Sequence, residues 1–175
     1  MTPVALVSEE QYLRSSFDPD VDFVDGMLEE RNVGEHDHSD LQAEIVHWVR
    51  QHGKELGLNA FSELRTRIGP GRFRVPDIVI VERRRLKTTI LEQPPVVAIE
   101  ILSPEDRISR MQERIDDYLG MGTPLVWLID PATRRAWIYR PGSIEECKDG
   151  NLRAGPPDFV LPLKEIFAAI DSIGE

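Results

Sequence analysis

The spacing of apolar residues along the chain predicts several helices. Leu41, Ile45 and Val49 recur every four residues and so share one face of a long helix. Ser103 is a good N-cap residue followed by Pro104, a pair that is typical of a helix start. Helices are therefore predicted over about 8–13, 39–56, 103 to 120 or 122, and 163–170.

Other apolar runs lack the helical period and predict strands. The dipeptide Asp25-Gly26 between two short apolar stretches predicts a hairpin turn. Further strands are predicted over about 61–67, 73–81, 96–102, 124–130 and 135–140. This order of elements predicts an α/β fold with a mixed central sheet flanked by helices. We expect one domain over residues 1–175, with an N-terminal decoration over about 1–35.

Two of the predicted strands each carry one carboxylate inside an apolar run. Asp77 lies within Val75–Val81, and Glu100 lies within Val96–Leu102. A buried carboxylate costs several kcal/mol unless it is protonated, paired or bound to a cation. Strand alternation allows both side chains to point to the same side of the sheet, where they would share a proton or a divalent metal. An alternative stays open, in which Asp77 only begins a strand and Glu100 meets an arginine.

The order and spacing of these residues resemble a known family. Val75-Pro76-Asp77 is followed, 23 residues after Asp77, by Glu100, and then by a predicted helix that contains Tyr118. This arrangement is similar to the Uma-two family of restriction-endonuclease-like proteins in the PD-(D/E)XK nuclease superfamily. The resemblance extends over about residues 8–170 and implies a restriction-endonuclease-like core.

The resemblance also implies roles for individual residues. Asp77 and Glu100 would bind Mg²⁺, or Mn²⁺ as a substitute, together with the backbone carbonyl of Ile101. The superfamily usually has a lysine two residues after the glutamate, where this chain has Leu102. In the Uma-two pattern that lysine lies on the following helix, at the position of Arg114 here. Arginine keeps the positive charge, but its pKa above about 12 makes it a poor proton shuttle.

Weaker candidates lie on or near these helices. Arg114 has an alternative interpretation as a surface arginine paired with its neighbours Glu113 and Asp117. An acidic residue on the first core helix joins the site in several branches of the superfamily, which makes Glu44 a further catalytic candidate. The alternative for Glu44 is a solvated helix residue with no role in the site. His36 and His38 form a short histidine pattern in a predicted loop, where we expect His38 to cap or pack.

Charge is unevenly distributed along the chain, whose formal net charge is −10. Residues 1–60 hold 13 acidic and 4 basic residues, whereas positive charge is concentrated further on. The basic segment extends from Arg65 to Lys87. If this segment flanks the two carboxylates together with Arg107, Arg110 and Arg114, these residues form a positive rim that binds DNA weakly and in a salt-dependent way. The alternative is a solvated surface that balances the acidic N-terminal region. The basic residues of the segment are Arg65, Arg67, Arg72, Arg74, Arg83, Arg84, Arg85 and Lys87.

The sequence also bears on location and assembly. Apolar runs are too short for a membrane helix, and the first ten residues show no secretory signal, so the cytoplasm is the expected location. The single cysteine, Cys147, forms no internal disulfide. Apolar strands and the aromatic residues Trp127, Trp137 and Tyr139 suggest a sheet edge that a homodimer would cover.

Two functions remain open from the sequence. The first is a Mg²⁺-dependent endonuclease that hydrolyses phosphodiester bonds in DNA. The second is a catalytically degenerate nuclease-fold module that binds nucleic acid or mediates oligomeric contacts, which the missing lysine favours.

Overall fold

The computed structural model describes residues 6–31 and 36–171. Parts of the predicted N-terminal decoration, residues 1–5 and 32–35, lie outside the described residues. The helices are α1 (Glu9–Arg14), α2 (His36–His52), α3 (Ile108–Gly120) and α4 (Leu163–Asp171), with one 3₁₀ turn at Arg83–Arg85. The strands are β1 (Asp22–Val24), β2 (Met27–Glu29), β3 (Leu58–Ser62), β4 (Thr66–Gly69), β5 (Arg72–Arg74), β6 (Ile78–Glu82), β7 (Val97–Ile101), β8 (Val126–Asp130), β9 (Arg135–Arg140), β10 (Ser143–Glu146), β11 (Asn151–Ala154) and β12 (Phe159–Pro162).

A six-stranded mixed sheet forms the centre of the protein. Its strand order is β10-β9-β8-β7-β6-β3, in which β7 and β8 run parallel and the other neighbours run antiparallel. Every residue of β7 is buried, as expected for an apolar strand that is covered on both faces. The predicted α/β fold with a mixed central sheet flanked by helices is therefore confirmed.

The two faces of this sheet are covered by different elements. One face, which includes Ile80, Ile99 and Trp127, packs against residues of α2, α4 and the β11–β12 pair. On the other face, Ala98, Val126 and Leu128 form a core with α3. Asp77 and Glu100 belong to this second face, so the helix that carries Arg114 lies over them.

A second sheet, of order β2-β1-β5-β4, includes the N-terminal hairpin. Asp25 and Gly26 have φ angles of 50° and 89°, which is the pair of positive φ values that a tight type I′ turn requires. Tyr12 of α1 stacks on Phe23 with 5.0 Å between the ring centroids, and Phe73 completes this small core. The hairpin predicted as part of a decoration thus pairs with β5 and belongs to a sheet.

The structure corrects several predicted boundaries. The predicted strand over 73–81 is divided between two sheets, because β5 ends before Val75-Pro76 and proline donates no ladder hydrogen bond. The predicted strand over 61–67 is likewise divided between β3 and β4. Helix α3 begins at Ile108 and not at Ser103, because the Asp106 carboxylate accepts the Ser103 N–H and closes a turn there.

Three further strands, β10, β11 and β12, were not predicted. The first of them pairs with β9 along the edge that we expected a homodimer to cover. Trp127 is fully buried within the protein, and Trp137 and Tyr139 pack on the α3 side of the sheet. Among the described residues, no helix combines the length and apolar character needed to cross a membrane.

Candidate active site

Asp77 and Glu100 meet across two adjacent strands. Ile78 pairs with Ile99 and Val79 with Ala98, so the same antiparallel register places Asp77 opposite Glu100. Opposed residues of neighbouring strands point to the same face, which confirms that both carboxylates lie on one side of the sheet. Their exposed fractions are 5% and 2%, and both line one cavity of about 380 Å³.

Asp77 is surrounded by donors from three other parts of the chain. Its Oδ1 accepts a hydrogen bond from Arg31 Nη2 at 2.7 Å. Its Oδ2 accepts the backbone N–H of Ile101 at 2.8 Å and lies 3.3 Å from His38 Nε2. Gln42 of α2 donates to the Asp77 backbone carbonyl at 2.7 Å. The β6–β7 pairing and α2 together fix this carboxylate in place.

Glu100 is held by two side chains of α3. Its Oε1 accepts hydrogen bonds from Arg114 Nη2 at 2.8 Å and from the Tyr118 hydroxyl at 2.5 Å. These donors are four residues apart on the helix and therefore share one face. The structure therefore agrees with the alternative in which Glu100 pairs with an arginine, and that arginine is Arg114.

Arg114 is an internal residue with distant partners. Its side chain is 12% exposed, and it also donates to Asp22 Oδ2 at 2.5 Å and to the Val75 carbonyl at 2.9 Å. The alternative of a surface arginine paired with Glu113 and Asp117 is therefore wrong. Burial of the neighbouring carboxylates beneath α3 draws the guanidinium inward.

A second buried arginine, Arg74, pairs with the two carboxylates that the surface alternative assigned to Arg114. Arg74 is 2% exposed and forms ion pairs with carboxylates from β1, β2 and α3. Asp22 is shared by both arginines, and its other oxygen accepts the Val75 N–H at 2.7 Å. The partners of Arg74 are Asp22, Glu29, Glu113 and Asp117.

The environment shifts the pKa values of these groups in different directions. Burial raises the pKa of Glu100 to about 7, an effect that Arg114 opposes and the charge of Asp77 reinforces. Burial would also raise the pKa of Asp77, but the hydrogen bond from His38 and the positive charges of His38, Arg31 and Arg114 hold it below its usual value. Burial would lower the pKa of His38, but the hydrogen bond to Asp77 raises it. Asp77 is therefore the stronger acid of the two carboxyls.

The donor set suits a hard divalent cation in its chemistry. Mg²⁺ and Mn²⁺ prefer carboxylate and carbonyl oxygens, and Asp77 and Glu100 offer four carboxylate oxygens in one cavity. Three of the four accept protein hydrogen bonds, whereas Oε2 of Glu100 accepts none from the described residues. Arg31 already places a positive group against Asp77, which marks this position as one where a cation is favourable. In the described part of the chain, no group of three or more His, Cys, Asp or Glu side chains could hold a metal ion.

The predicted site residues are brought together with one exception. Asp77, Glu100, Ile101 and Arg114 all line the cavity, but within the described residues Glu44 is not part of its lining. Leu102, at the usual lysine position, packs into the core beneath α3.

The histidine predictions need correction. His36 and His38 lie in the first turn of α2 and not in a loop, and His38 contacts a site carboxylate instead of only capping or packing. The same face of α2 carries Gln42, four residues later, toward Asp77. The helix face toward the site is therefore polar, which its apolar stripe alone did not show.

Sequence reasoning missed Asp22 and Arg31, and it named Arg74 only as one member of the basic segment. Asp22 lies between Val21 and Phe23, so the same sign that found Asp77, a carboxylate within an apolar run, was present there. Arg74 is likewise a charge between Phe73 and Val75. Arg31 carries no such signal, because it lies in a polar stretch and meets Asp77 across 46 residues of sequence.

The basic segment does not form the predicted rim. Of its eight basic residues, only Arg74 lines the cavity in the described structure. Arg65 pairs with Asp20, and Arg67 pairs with Glu9, which is the alternative of a basic surface balancing the acidic N-terminal region. The other part of the predicted rim is present, because Arg107, Arg110 and Arg114 line the cavity together with Arg31 and Arg74.

Comparison of the chain with models of known protein families identifies the family to which it belongs. The chain matches the model of the Uma2 family, described as "Putative restriction endonuclease", over residues 9–163. The chain belongs to the Uma2 family. The match includes both carboxylates and Arg114, so the family anticipated from the sequence is confirmed. Uma2 membership supports a nuclease.

A similar fold occurs in a solved structure. A crystal structure of "a putative nuclease belonging to DUF820 from Anabaena variabilis ATCC 29413" is similar, with a TM-score of 0.78 and 25% sequence identity over 91% of this chain and 96% of that chain. A cryo-electron microscopy structure of a DrdV–DNA complex is more distant, with a TM-score of 0.39 and 13% identity over 78% of this chain and 13% of that chain. Curated protein sequences gave no match.

Proposed function

We propose that this Uma2 protein is a divalent-metal-dependent endonuclease that hydrolyses phosphodiester bonds in DNA. The observation that carries the proposal is the pair of opposed, buried carboxylates in one cavity with an internal arginine beside them. Replacement of buried ion pairs by well-packed apolar residues is often neutral or stabilising, so stability alone does not account for two buried carboxylates here. A site that binds a cation and a phosphate gives the pair a function.

Asp77 and Glu100 are the residues that would hold the ion, with the Ile101 carbonyl as an additional ligand. A divalent ion at such a site lowers the pKa of a bound water and polarises a phosphate oxygen. Asp77, with its lowered pKa, keeps its negative charge near neutral pH. The pKa of Glu100, about 7, makes this carboxyl able to hold or release a proton in the same range.

Arg114 supplies a fixed positive charge on the other side of Glu100. Its contacts with Asp22 and the Val75 carbonyl hold the guanidinium in one position before a substrate arrives. A preorganised charge stabilises the negative charge that develops on the phosphate in the transition state. Arg107 and Arg110, both exposed, line the same cavity and are suited to contact the flanking phosphates.

The decisive experiment is a cleavage assay with site variants. Wild type should cleave double-stranded or single-stranded DNA in Mg²⁺ or Mn²⁺, and Asp77→Asn and Glu100→Gln should each abolish cleavage. Glu165→Gln, on the exposed surface of α4, is the control for loss of a carboxylate. Glu44→Gln tests the remaining catalytic candidate. Because Glu44 is not among the described residues that line the cavity, we expect this variant to cleave DNA, and loss of cleavage would assign Glu44 a role in the reaction. Cleavage that survives both site substitutions would refute the proposal.

A second candidate function is a nuclease-fold module that binds without cleaving. This candidate is favoured by the ion pairs within the site, because the side chains of Arg31, His38 and Arg114 already neutralise both carboxylates. Such a module would show no metal-dependent rise in melting temperature, and Arg114→Lys would create no activity. If Arg114→Lys yields or raises cleavage, the module interpretation fails.

A further inference from the structure

Arg31 connects the buried carboxylate Asp77 to a second carboxylate nearer the surface. It follows β2, and its Nη2 lies 2.7 Å from Asp77 Oδ1 while its Nη1 lies 3.2 Å from Glu63 Oε1. The Arg31 side chain is 9% exposed, whereas that of Glu63 is 49% exposed. One guanidinium therefore spans an internal and a more external partner.

Arg31 contacts Oδ1 of Asp77, whereas the other donors to this carboxylate are at Oδ2. Oδ2 accepts the Ile101 N–H and faces His38, so Oδ1 is the oxygen at which a further cation would bind. A divalent ion and a guanidinium on the same oxygen would repel each other, and the repulsion is strong where water is largely excluded. Binding of an ion at Oδ1 requires that Arg31 withdraws.

Glu63 gives the withdrawn guanidinium a partner. Because Nη1 already contacts Glu63, Arg31 can leave Asp77 without becoming an unpaired charge. Arg110 provides a contrast within the same cavity, since it donates to the Glu30 carbonyl and contacts Glu29 at 3.9 Å, but has no contact with Asp77.

We propose that Arg31 competes with the divalent cation for Asp77 and that Glu63 receives its guanidinium when the ion binds. The proposal rests on the proposed function only in placing an ion at Asp77. Arg31 thereby lowers the affinity of the site for metal, and Glu63 raises it by holding Arg31 in the displaced position. The two residues have opposite effects although neither touches the ion.

The test is a calorimetric titration of the full chain with Mn²⁺. Arg31→Gln should bind Mn²⁺ more tightly than wild type, by a factor in the range of roughly 5 to 150 that is typical of coupling between two ligands. Arg110→Gln removes the same charge from the same cavity and is the matched control, for which we expect a change of less than about threefold because exposed charges are screened. Equal tightening in both variants would show a general charge effect and overturn the proposal.

Glu63→Gln tests the second half of the mechanism and changes an exposed residue, so folding should be retained. It should weaken Mn²⁺ binding in the wild-type background but have little effect in the Arg31→Gln background, because Glu63 acts through Arg31. An equal loss in both backgrounds would mean that Glu63 acts directly, and would overturn its assigned role. Mn²⁺ binding that is unchanged in Arg31→Gln refutes the competition alone, whereas no Mn²⁺ binding by any variant refutes the metal-dependent function together with it.

Discussion

Asp22 is a single buried carboxylate that joins three parts of the chain. It lies on β1, accepts the N–H of Val75 in the segment before Asp77, and pairs with Arg114 of α3 and with Arg74. Each of these arginines also reaches further carboxylates, so the site is embedded in a network of alternating charges. In a buried network of this kind, every member depends on the others for compensation of its charge.

Substitution of Asp22 should therefore be costly. Asp22→Asn keeps an acceptor for the Val75 N–H but removes the charge shared by Arg74 and Arg114, and we expect the free energy of unfolding to fall by about 3 kcal/mol. Urea denaturation measures this change. The control is Asp171→Asn, which breaks an exposed ion pair with Arg134 and should change the free energy of unfolding far less, because solvent screens exposed ion pairs. Similar losses in both variants would contradict the prediction.

Glu100 should make stability depend on pH. Its pKa in the folded protein, about 7, lies above the ordinary value of 4.5, so between these values the unfolded chain releases a proton that the folded chain keeps. The free energy of unfolding should consequently fall as the pH rises from about 4.5 to 7, by a contribution on the order of 3 kcal/mol. His38, with its raised pKa, also loses stabilisation as the pH rises, whereas Asp77 loses its own only as the pH falls through its lowered pKa.

A variant separates the contribution of Glu100 from those of its neighbours. Glu100→Gln lacks the titrating group, so the decline between pH 5 and 7 should be smaller than in wild type when both are followed by urea denaturation. Parallel pH profiles for the two proteins would show that Glu100 does not titrate in this window.

Among the helices, α3 places several side chains at the cavity but begins without a side-chain cap. Its N-cap residue, Arg107, has φ −88° and ψ 127° but makes no side-chain capping hydrogen bond. Aspartate suits this position, because its carboxylate accepts an N–H of the first turn and interacts favourably with the helix dipole. The helix therefore retains a positive side chain at the cavity wall where stability alone would favour an acidic one.

Replacement of that residue should separate stability from function. Arg107→Asp should raise the free energy of unfolding by about 1 kcal/mol, measured by urea denaturation, while it weakens DNA binding. Arg107→Ala removes the same charge without adding a cap and should not be stabilised. If the aspartate variant is no more stable than the alanine variant, the missing side-chain cap does not lower the free energy of unfolding, and the prediction is wrong.

The elements also show what the sequence could predict. Apolar runs and helical spacing located the central strands β7, β8 and β9 and the long helix α2, because burial on defined faces imposes those patterns. The start of α3 was predicted too early because Ser103 and Asp106 use their capping chemistry in a turn. Strand β10 was missed because its Ser-Ile-Glu-Glu sequence pairs at an exposed edge and needs little apolar character.

The same reasoning applies to the candidate site. Asp77 and Glu100 could be found from the sequence because a carboxylate in a buried strand breaks a local pattern. Arg31 could not, because its contact with Asp77 depends on how the N-terminal hairpin packs against the central sheet, and that long-range packing leaves no periodic trace in the sequence.

On the scale of the whole molecule, positive charge is largely neutralised by internal pairing. Arg65 and Arg67 of the basic segment pair with acidic residues of the N-terminal region, and Arg84 and Arg85 pair with Glu82. The exposed arginines that line the cavity are Arg107 and Arg110. A DNA strand that enters the cavity can therefore meet only a few cations, on a chain whose net charge is −10.

DNA affinity should accordingly be weak and should fall with salt as for about 2 to 4 neutralised phosphates. Fluorescence anisotropy in Ca²⁺ across a salt series measures this slope, and addition of Ca²⁺ should strengthen binding because it offsets the charge of the two carboxylates. Arg107→Gln should reduce the slope by about one, whereas Arg134→Gln, at an ion pair with Asp171, should leave it unchanged. Binding that is independent of salt and Ca²⁺ would remove the electrostatic basis of a DNA substrate.

The edge of the central sheet gives a prediction about assembly. Strand β10 forms one edge, and its Ile144 is 59% exposed. We expect a homodimer in which this edge is covered, because open sheet edges favour pairing with another chain. Light scattering at tens of micromolar protein should give twice the monomer mass, and Ile144→Lys should shift it toward the monomer. A monomer mass for wild type would refute this expectation.

The hydrogen bond from the Ile101 N–H to the Asp77 carboxylate makes one backbone amide a built-in spectroscopic probe. The chemical shift of an amide proton depends on the charge of its acceptor, so this resonance would move when a cation, a proton or a phosphate changes the surroundings of Asp77. Amides elsewhere in the central sheet donate to other strands and would serve as internal references in the same spectrum. An NMR titration that follows this one signal would detect ligands of any class at the carboxylate, with no knowledge of the cleavage substrate.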